Sequence, residues 1–175
     1  MPKLNIGCGR DYKEGWTNID SDKSVFADGY FDLEERWGLT DNLYDEVKLS
    51  HVIEHIHREK IQHFFRELHR VCKDGARIKM YAPHFSCGIT YRTLSHLTPI
   101  TYFSFDHIKG FKVIKKKLNF FREGHPYKER RIGNLLKKGN FLFGFIPNLI
   151  PSFYERFLCW IYPVEEVEMV LEVGK

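Results

Sequence analysis

A strand that breaks into glycines opens this chain. Lys3-Leu4-Asn5-Ile6 sets two apolar residues about a polar one and predicts a short buried strand, and Gly7-Cys8-Gly9 follows at once. Glycine reaches backbone angles closed to other residues and has no Cβ to hold a ligand away. A strand running into G-x-G is how an open α/β sheet turns at its carboxyl edge and admits a nucleotide-like ligand against bare backbone. A second strand, residues 16–20, ends in Asp20. An acid at that point accepts hydrogen bonds from ribose hydroxyls in such folds. The acid normally stands roughly 20 residues beyond the glycines; here it comes much sooner. The connection from Asp11 to Gly15 is too short for a full crossover helix, and Tyr12 stands where a third glycine would complete G-x-G-x-x-G. This is therefore not an ordinary dinucleotide fingerprint.

The rest of the chain extends the α/β reading. Residues 24–33 predict a third short strand or extended link with Asp32-Leu33 at its end, and 46–53 predict a fourth strand. Ile61, Phe64, Phe65, Leu68, Val71 and Cys72 recur at helical spacing, which predicts a helix over about 58–72, with Gly75 as its left-handed stop. Residues 76–82 predict a fifth strand closed by Pro83. A short helix is expected over 100–108, a lysine-rich strand over 111–121 and a terminal strand over 166–173. The last two can pair antiparallel. Residues 141–163 are rich in Phe, Leu, Ile and Tyr but broken by Pro147 and Pro151. That run is too interrupted to span a bilayer and predicts a core helix or a cover over the site, with membrane-surface contact as the other use of such a segment.

With 175 residues, a single domain is expected over 1–175: a ligand-binding half (1–83) and a second half (84–175) containing the cover segment. The cysteines Cys8, Cys72, Cys87 and Cys159 form no C-x-x-C pair, which argues against a disulfide framework or zinc knot and for a reducing, cytoplasmic setting. With a strand from residue 3, no targeting segment is expected. The net charge of +4 is unevenly spread. Between 109 and 140 only Glu123 and Glu129 oppose a run of lysines and arginines, and such a surface favours an anionic partner.

The order strand, G-C-G, strand ending in Asp20, Asp32-Leu33, then Tyr44-Asp45-Glu46-Val47-Lys48-Leu49-Ser50-His51-Val52-Ile53-Glu54-His55-Ile56 and Leu68-His69-Arg70-Val71-Cys72-Lys73-Asp74-Gly75 resembles the class I S-adenosylmethionine-dependent methyltransferases. More narrowly it is similar to the type 11 methyltransferase domain, in a compact variant. The resemblance covers residues 3–83 with specific motifs and runs on more loosely through the terminal strand pair. It implies a Rossmann-like, mostly parallel seven-stranded sheet with an antiparallel last strand and a truncated first crossover helix. It implies S-adenosyl-L-methionine as cofactor, its methionine end against Gly7, Cys8 and Gly9, its ribose on Asp20 and its adenine at Asp32 and Leu33. Ser50 and His51 fall where the reacting methyl sits. Asn5 stands where the family often has an acid and gives the cofactor's positive groups less charge compensation. Helices that usually cover the cofactor ahead of the first strand are missing, so residues 141–163 or the second subunit of a homodimer are expected to do so.

Methyl transfer from a sulfonium is an in-line displacement from an already activated donor, so alignment matters most. Positioning is worth roughly 7–11 kcal/mol, against about 3–5 kcal/mol for a general base. His51, His55, His84 and His96 are the candidate bases, and His51 and His84 are expected to face the cofactor edge in catalysis. His55 and Glu54 are expected to fix the strand-to-helix turn. His51 and His55 straddle that turn, so no metal site is expected. The leading expectation is a transferase acting on a small-molecule or saccharide acceptor. A nucleic-acid methyltransferase using the basic 109–140 region is the alternative, with Phe120, Phe121 and Tyr127 as stacking candidates. Against it, the D/N-P-P-Y/F/W signature of base methylation is absent. A third reading is a cofactor-binding, membrane-peripheral domain without catalysis.

Overall fold

In a computed structural model of the chain, residues 1–122 and 138–175 are described. Seven strands form one sheet: β1 (Lys3–Ile6), β2 (Thr17–Asp20), β3 (Gly29–Tyr30), β4 (Tyr44–Ser50), β5 (Cys72–Pro83), β6 (Phe111–Asn119) and β7 (Glu166–Val173). Their order is β3-β2-β1-β4-β5-β7-β6. β3, β2, β1, β4 and β5 pair in parallel, and β7 enters antiparallel between β5 and β6. The α/β, Rossmann-like sheet expected from the sequence is thus present. Leu4, Asn5 and Ile6 are all buried, as a central parallel strand covered on both faces requires.

No helix joins β1 to β2. One asparagine organises the short link instead. Asn18 Nδ2 donates to the carbonyls of Lys13 (2.9 Å) and Trp16 (3.0 Å), while its Oδ1 accepts from the Lys13 N–H at 2.8 Å and from Asn5 Nδ2 at 3.0 Å.

The helix α1 spans Ile61–Val71, after a 3₁₀ turn at Arg58–Lys60. Phe64, Phe65, Leu68 and Val71 form its buried face. Gly75 does not stop it. Cys72 is already extended, so chain passes from helix to strand without a loop, and Gly75 (φ +73°) lies at the register shift of β5 on β4. Glu67 is also buried on α1. It accepts the Trp37 N–H at 2.9 Å and pairs with Arg70 at 2.6 Å, and Arg70 donates onward to the Trp37 and Leu39 carbonyls. Arg70 and the Trp37 N–H hold the Glu67 carboxyl below its ordinary 4.5, against the opposing effect of burial. A depressed carboxyl contributes stability above its unfolded pKa and loses it as pH falls through the folded one. Wild-type protein should therefore lose stability on acidification below about pH 4.5 more steeply than Glu67→Gln, as read by urea melts at stepped pH.

Residues 100–108 form turns rather than a helix, pinned by the buried Ile100 and Phe105. Residues 141–163 are not a core helix. Helical turns at 138–143 and at α2 (Phe145–Leu149) are followed by Pro151–Phe153 and a π-helical turn at Tyr154–Leu158. Tyr154, Cys159 and Val164 anchor this segment in the core, but Phe141, Leu142, Phe145, Ile146, Leu149, Trp160 and Ile161 are each more than half exposed. Its polar duty is at the sheet edge. Asn148 exchanges two hydrogen bonds with the Leu118 backbone, and Asn140 does the same with Phe121. Side-chain amides thereby satisfy groups that an edge strand would otherwise offer to another chain. Among the described residues no helix is long and apolar enough to cross a membrane.

Candidate active site

The parallel pairing places the ends of β1, β2, β4 and β5 on one edge, and β7 begins there because it runs the other way. Gly7, Cys8, Gly9, Asp20, Ser50, His51 and Glu166 all collect at this edge.

The two glycines do different work. Gly7 has φ +62°, and a Cβ on it would lie 2.3 Å from Val52 Cγ2. It is glycine so that β1 can pack against the turn after β4. Gly9 has φ +50°, and a Cβ there would meet nothing within 4 Å. Open space beside a backbone that must be left-handed is what close approach of a ligand needs. The amides of the loop are not free donors, however. Cys8 N–H donates to Ile19 O (3.1 Å) and Gly9 N–H to Asp20 Oδ2 (2.7 Å). Asp20 Oδ1 accepts from the Asp22 N–H at 2.9 Å. Asp20 thus latches the glycine loop to the chain beyond β2. A carboxylate offers about four acceptor sites, and these two hydrogen bonds use half of them. Beside this latch is a cavity of about 390 Å³ lined by Gly9, Arg10, Tyr12, Asp22, Ser24, Val25 and Phe26. Its size lies within the roughly 300–1,000 Å³ usual for small-molecule sites. A wider cavity, about 610 Å³, lies between α1 and the 107–110 turn. Open α/β sheets bind ligands outside the carboxyl ends of their strands, so the Gly9 cavity is the candidate.

Other sequence-predicted residues vary in position. Asn5 is buried, and its amide donates to Asp11 O and Asn18 Oδ1, bracing the short link. Cys8 is buried, and burial with the nearby Asp20 charge pushes its thiol up to about 11, which keeps it protonated at neutral pH. Asp32 is exposed and accepts the Glu34 N–H at 2.9 Å, while Leu33 is buried in the core. Ser50 ends β4.

His51 is the most constrained of the candidate bases. It sits just past β4 with φ +58°, a left-handed conformation that costs a non-glycine residue about 1–2 kcal/mol. Its Nε2 is 2.9 Å from Glu166 Oε1 and 2.9 Å from Arg122 Nε, and its Nδ1 is 3.2 Å from Glu54 Oε1. One nitrogen serves one of the first two partners at a time: protonated it donates to the carboxylate, unprotonated it accepts from the guanidinium. Burial opposes its charge, but Glu166 and Glu54 outweigh that and raise its pKa above the ordinary 6.5. Glu166 and Arg122 were not legible as site residues. Glu166 reads as one outward position of an alternating strand, and only the antiparallel insertion of β7 brings it to this edge.

His84 follows directly on β5. It is fully buried, with the Ser86 N–H donating to its Nδ1 (3.2 Å) and its Nε2 placed 3.0 Å from Glu155 Oε1. With Nδ1 accepting, Nε2 carries the proton and donates to Glu155. Nδ1 is spent on Ser86 and Nε2 on Glu155 of the 138–163 segment, so both ring nitrogens are engaged within the protein. The stacking candidates also differ from expectation. Phe120 packs on Phe121, Phe143 and Tyr162 with ring centroids 4.9–5.3 Å apart, so its faces are occupied by the protein's own rings. Lys115 pairs with Glu168 at 3.1 Å and Lys116 with Asp106 at 2.6 Å, which reduces the free charge of the basic strand. Residues 123–137, including Tyr127 and much of the basic run, lie outside the described residues.

No protein-family model matches the chain, and no curated protein matches it significantly. Solved structures do. The chain is similar to a SAM-dependent methyltransferase from Archaeoglobus fulgidus at 19% identity and TM-score 0.65, over 98% of this chain and 85% of that one. It is similar to phosphoethanolamine N-methyltransferase 2 of Haemonchus contortus, solved with S-adenosyl-L-methionine, at 17% identity and TM-score 0.58, over 99% of this chain and 48% of that one. The cyclase SpnF matches at 12% identity and TM-score 0.61, over 99% of this chain and 74% of that one. A cyclase among the neighbours illustrates that this architecture hosts more than one chemistry. The sheet order, the antiparallel seventh strand and these likenesses together give the chain the fold of the class I S-adenosylmethionine-dependent methyltransferases.

Proposed function

We propose that this protein is an S-adenosylmethionine-dependent methyltransferase acting on a small-molecule or saccharide acceptor. The observation that carries the reading is the Gly9–Asp20 latch beside an open cavity at the carboxyl edge of the sheet. The cavity is of a size for the cofactor and has bare backbone at Gly9, and Asp20, which accepts the Gly9 N–H, stands next to it. Asp20 would take the ribose hydroxyls, Gly7, Cys8 and Gly9 would line the methionine end, and Asp32 and Leu33 would border the adenine. When bound, S-adenosylmethionine supplies a methyl group already activated on a sulfonium.

Ser50 and His51 would border the acceptor. The strained backbone of His51 and its contacts with Glu166 and Arg122 hold the imidazole at a fixed angle, as alignment for an in-line displacement demands. His51 would receive the proton of a hydroxyl or amine acceptor in its unprotonated form, with Nε2 exchanging its Arg122 contact for the acceptor.

Titration calorimetry with S-adenosylmethionine should show one site per chain; absence of binding would remove the reading. A screen of saccharides and small hydroxyl compounds with labelled cofactor then identifies the acceptor. With that acceptor, His51→Gln should lower kcat by about 10²–10⁴-fold. Its cofactor affinity should stay within about threefold of wild type, since the lost interaction belongs to the transition state. A His51→Gln enzyme with undiminished kcat would remove the base assignment.

A further inference from the structure

The turn after β4 carries a defect that a cation would repair. Glu54 is fully buried, and among the described residues neither of its carboxylate oxygens accepts a hydrogen bond. Among the described residues its ionic contact is with His51 Nδ1, 3.2 Å away but without hydrogen-bond alignment. A buried carboxylate without an aligned hydrogen bond is costly. His96 repeats the pattern, because its Nδ1 is buried with no partner. The two groups lie together. Glu54, His55 and His96 can each present a ligand atom with all three atoms within 4.8 Å of one another. The His55 and His96 rings meet edge to face with centroids 4.8 Å apart.

The loop bearing His96 is tied to this turn rather than resting on it. Glu54 O accepts the N–H of Leu97 (2.7 Å) and of Thr98 (3.1 Å), and Thr98 Oγ1 donates to Ile56 O at 2.8 Å. His55 Nδ1 lies 2.9 Å from Ser95 O. A carbonyl can only accept, so Nδ1 carries the proton and the lone pair is on Nε2. A backbone carbonyl orienting the second ring nitrogen is the usual support of a metal-bound histidine.

From this we infer that Glu54, His55 and His96 form a binding site for a first-row divalent transition-metal ion. Two imidazoles and one carboxylate favour such an ion over magnesium or calcium, which prefer all-oxygen shells. Three protein ligands leave a position open to water or another oxygen ligand. Ligand atoms in a tetrahedral zinc shell stand roughly 3.3 Å apart, so the site closes around the ion by a small swing of the surface residue His55. The spacing E-H followed at a distance by a lone His gives no recognisable ligand motif, which is why no metal is expected from the sequence.

Cobalt(II) tests this without reference to catalysis. Protein dialysed against EDTA should take up one Co²⁺ per chain, with visible absorption bands that saturate at one equivalent. His55→Ala and His96→Ala should each weaken binding at least tenfold, and Glu54→Gln should do so too. Circular dichroism melts check folding, and the exposed His55 carries the test if the buried Glu54 variant is unstable. No uptake by wild type, or equal uptake by His55→Ala/His96→Ala, would overturn the inference. Calorimetry with S-adenosylmethionine in EDTA reads the cofactor site separately, so either conclusion can fail alone.

Discussion

Asp20→Ala weakens S-adenosylmethionine binding by about 10- to 100-fold in titration calorimetry. Hydrogen bonds to a charged acceptor contribute about 1.5–3 kcal/mol, and each 1.4 kcal/mol is a tenfold change in affinity. The side chain does two things at once. It keeps acceptor sites for the ribose, and it holds the Gly9 and Asp22 N–H groups that shape the crevice. Asp20→Asn separates these roles, because its amide oxygen can keep one N–H while the negative charge is gone. The asparagine variant should therefore fall between wild type and alanine. Unchanged affinity in Asp20→Ala would show that the ribose, or the whole cofactor, sits elsewhere.

Gly7→Ala and Gly9→Ala should part company. At Gly7 the new methyl meets Val52 Cγ2 at 2.3 Å and the backbone is left-handed. The conformational cost is about 1–2 kcal/mol and overpacking adds about 1–3 kcal/mol. At about 2–4 °C per kcal/mol for a chain of this size, melting should drop by roughly 5–15 °C. Val52→Ala in the same chain should return part of it by removing the clash, leaving the backbone strain. At Gly9 only the backbone cost applies, since nothing lies within 4 Å. Gly9→Ala should melt within a few degrees of wild type, about 2–4 °C for each kcal/mol, yet bind the cofactor markedly less well. Differential scanning calorimetry and cofactor titration of the two variants read both axes. A strongly destabilised Gly9→Ala with intact binding would contradict the division of labour.

What could be read from the sequence follows the range of the interactions involved. β1, β2, β4 and β7 carry their own apolar patterning, and α1 its own periodicity, so local chemistry was enough. The order around the sheet came from the resemblance carried by motifs within residues 3–83. Asp20 was legible because it ends a strand just after the glycines. His84 was not, because its burial depends on Glu155, seventy-one residues further on. Glu166 and Arg122 meet His51 only through the antiparallel insertion of β7, and Glu54, His55 and His96 meet only because one loop folds back onto the turn after β4. The core-helix reading of 141–163 failed because apolar residues imply burial only when something covers them. Here the segment is held by Tyr154, Asn148 and Glu155 and shows much of its apolar surface to solvent.

The central claim is that the cofactor lies in the crevice latched by Gly9 and Asp20, and a crystal structure with S-adenosylhomocysteine tests it most directly. The account predicts density against the bare backbone of Gly9, with ribose hydroxyls within hydrogen-bond reach of the Asp20 carboxylate. Density in the cavity between α1 and the 107–110 turn, or none at the carboxyl edge under saturating ligand, would contradict it.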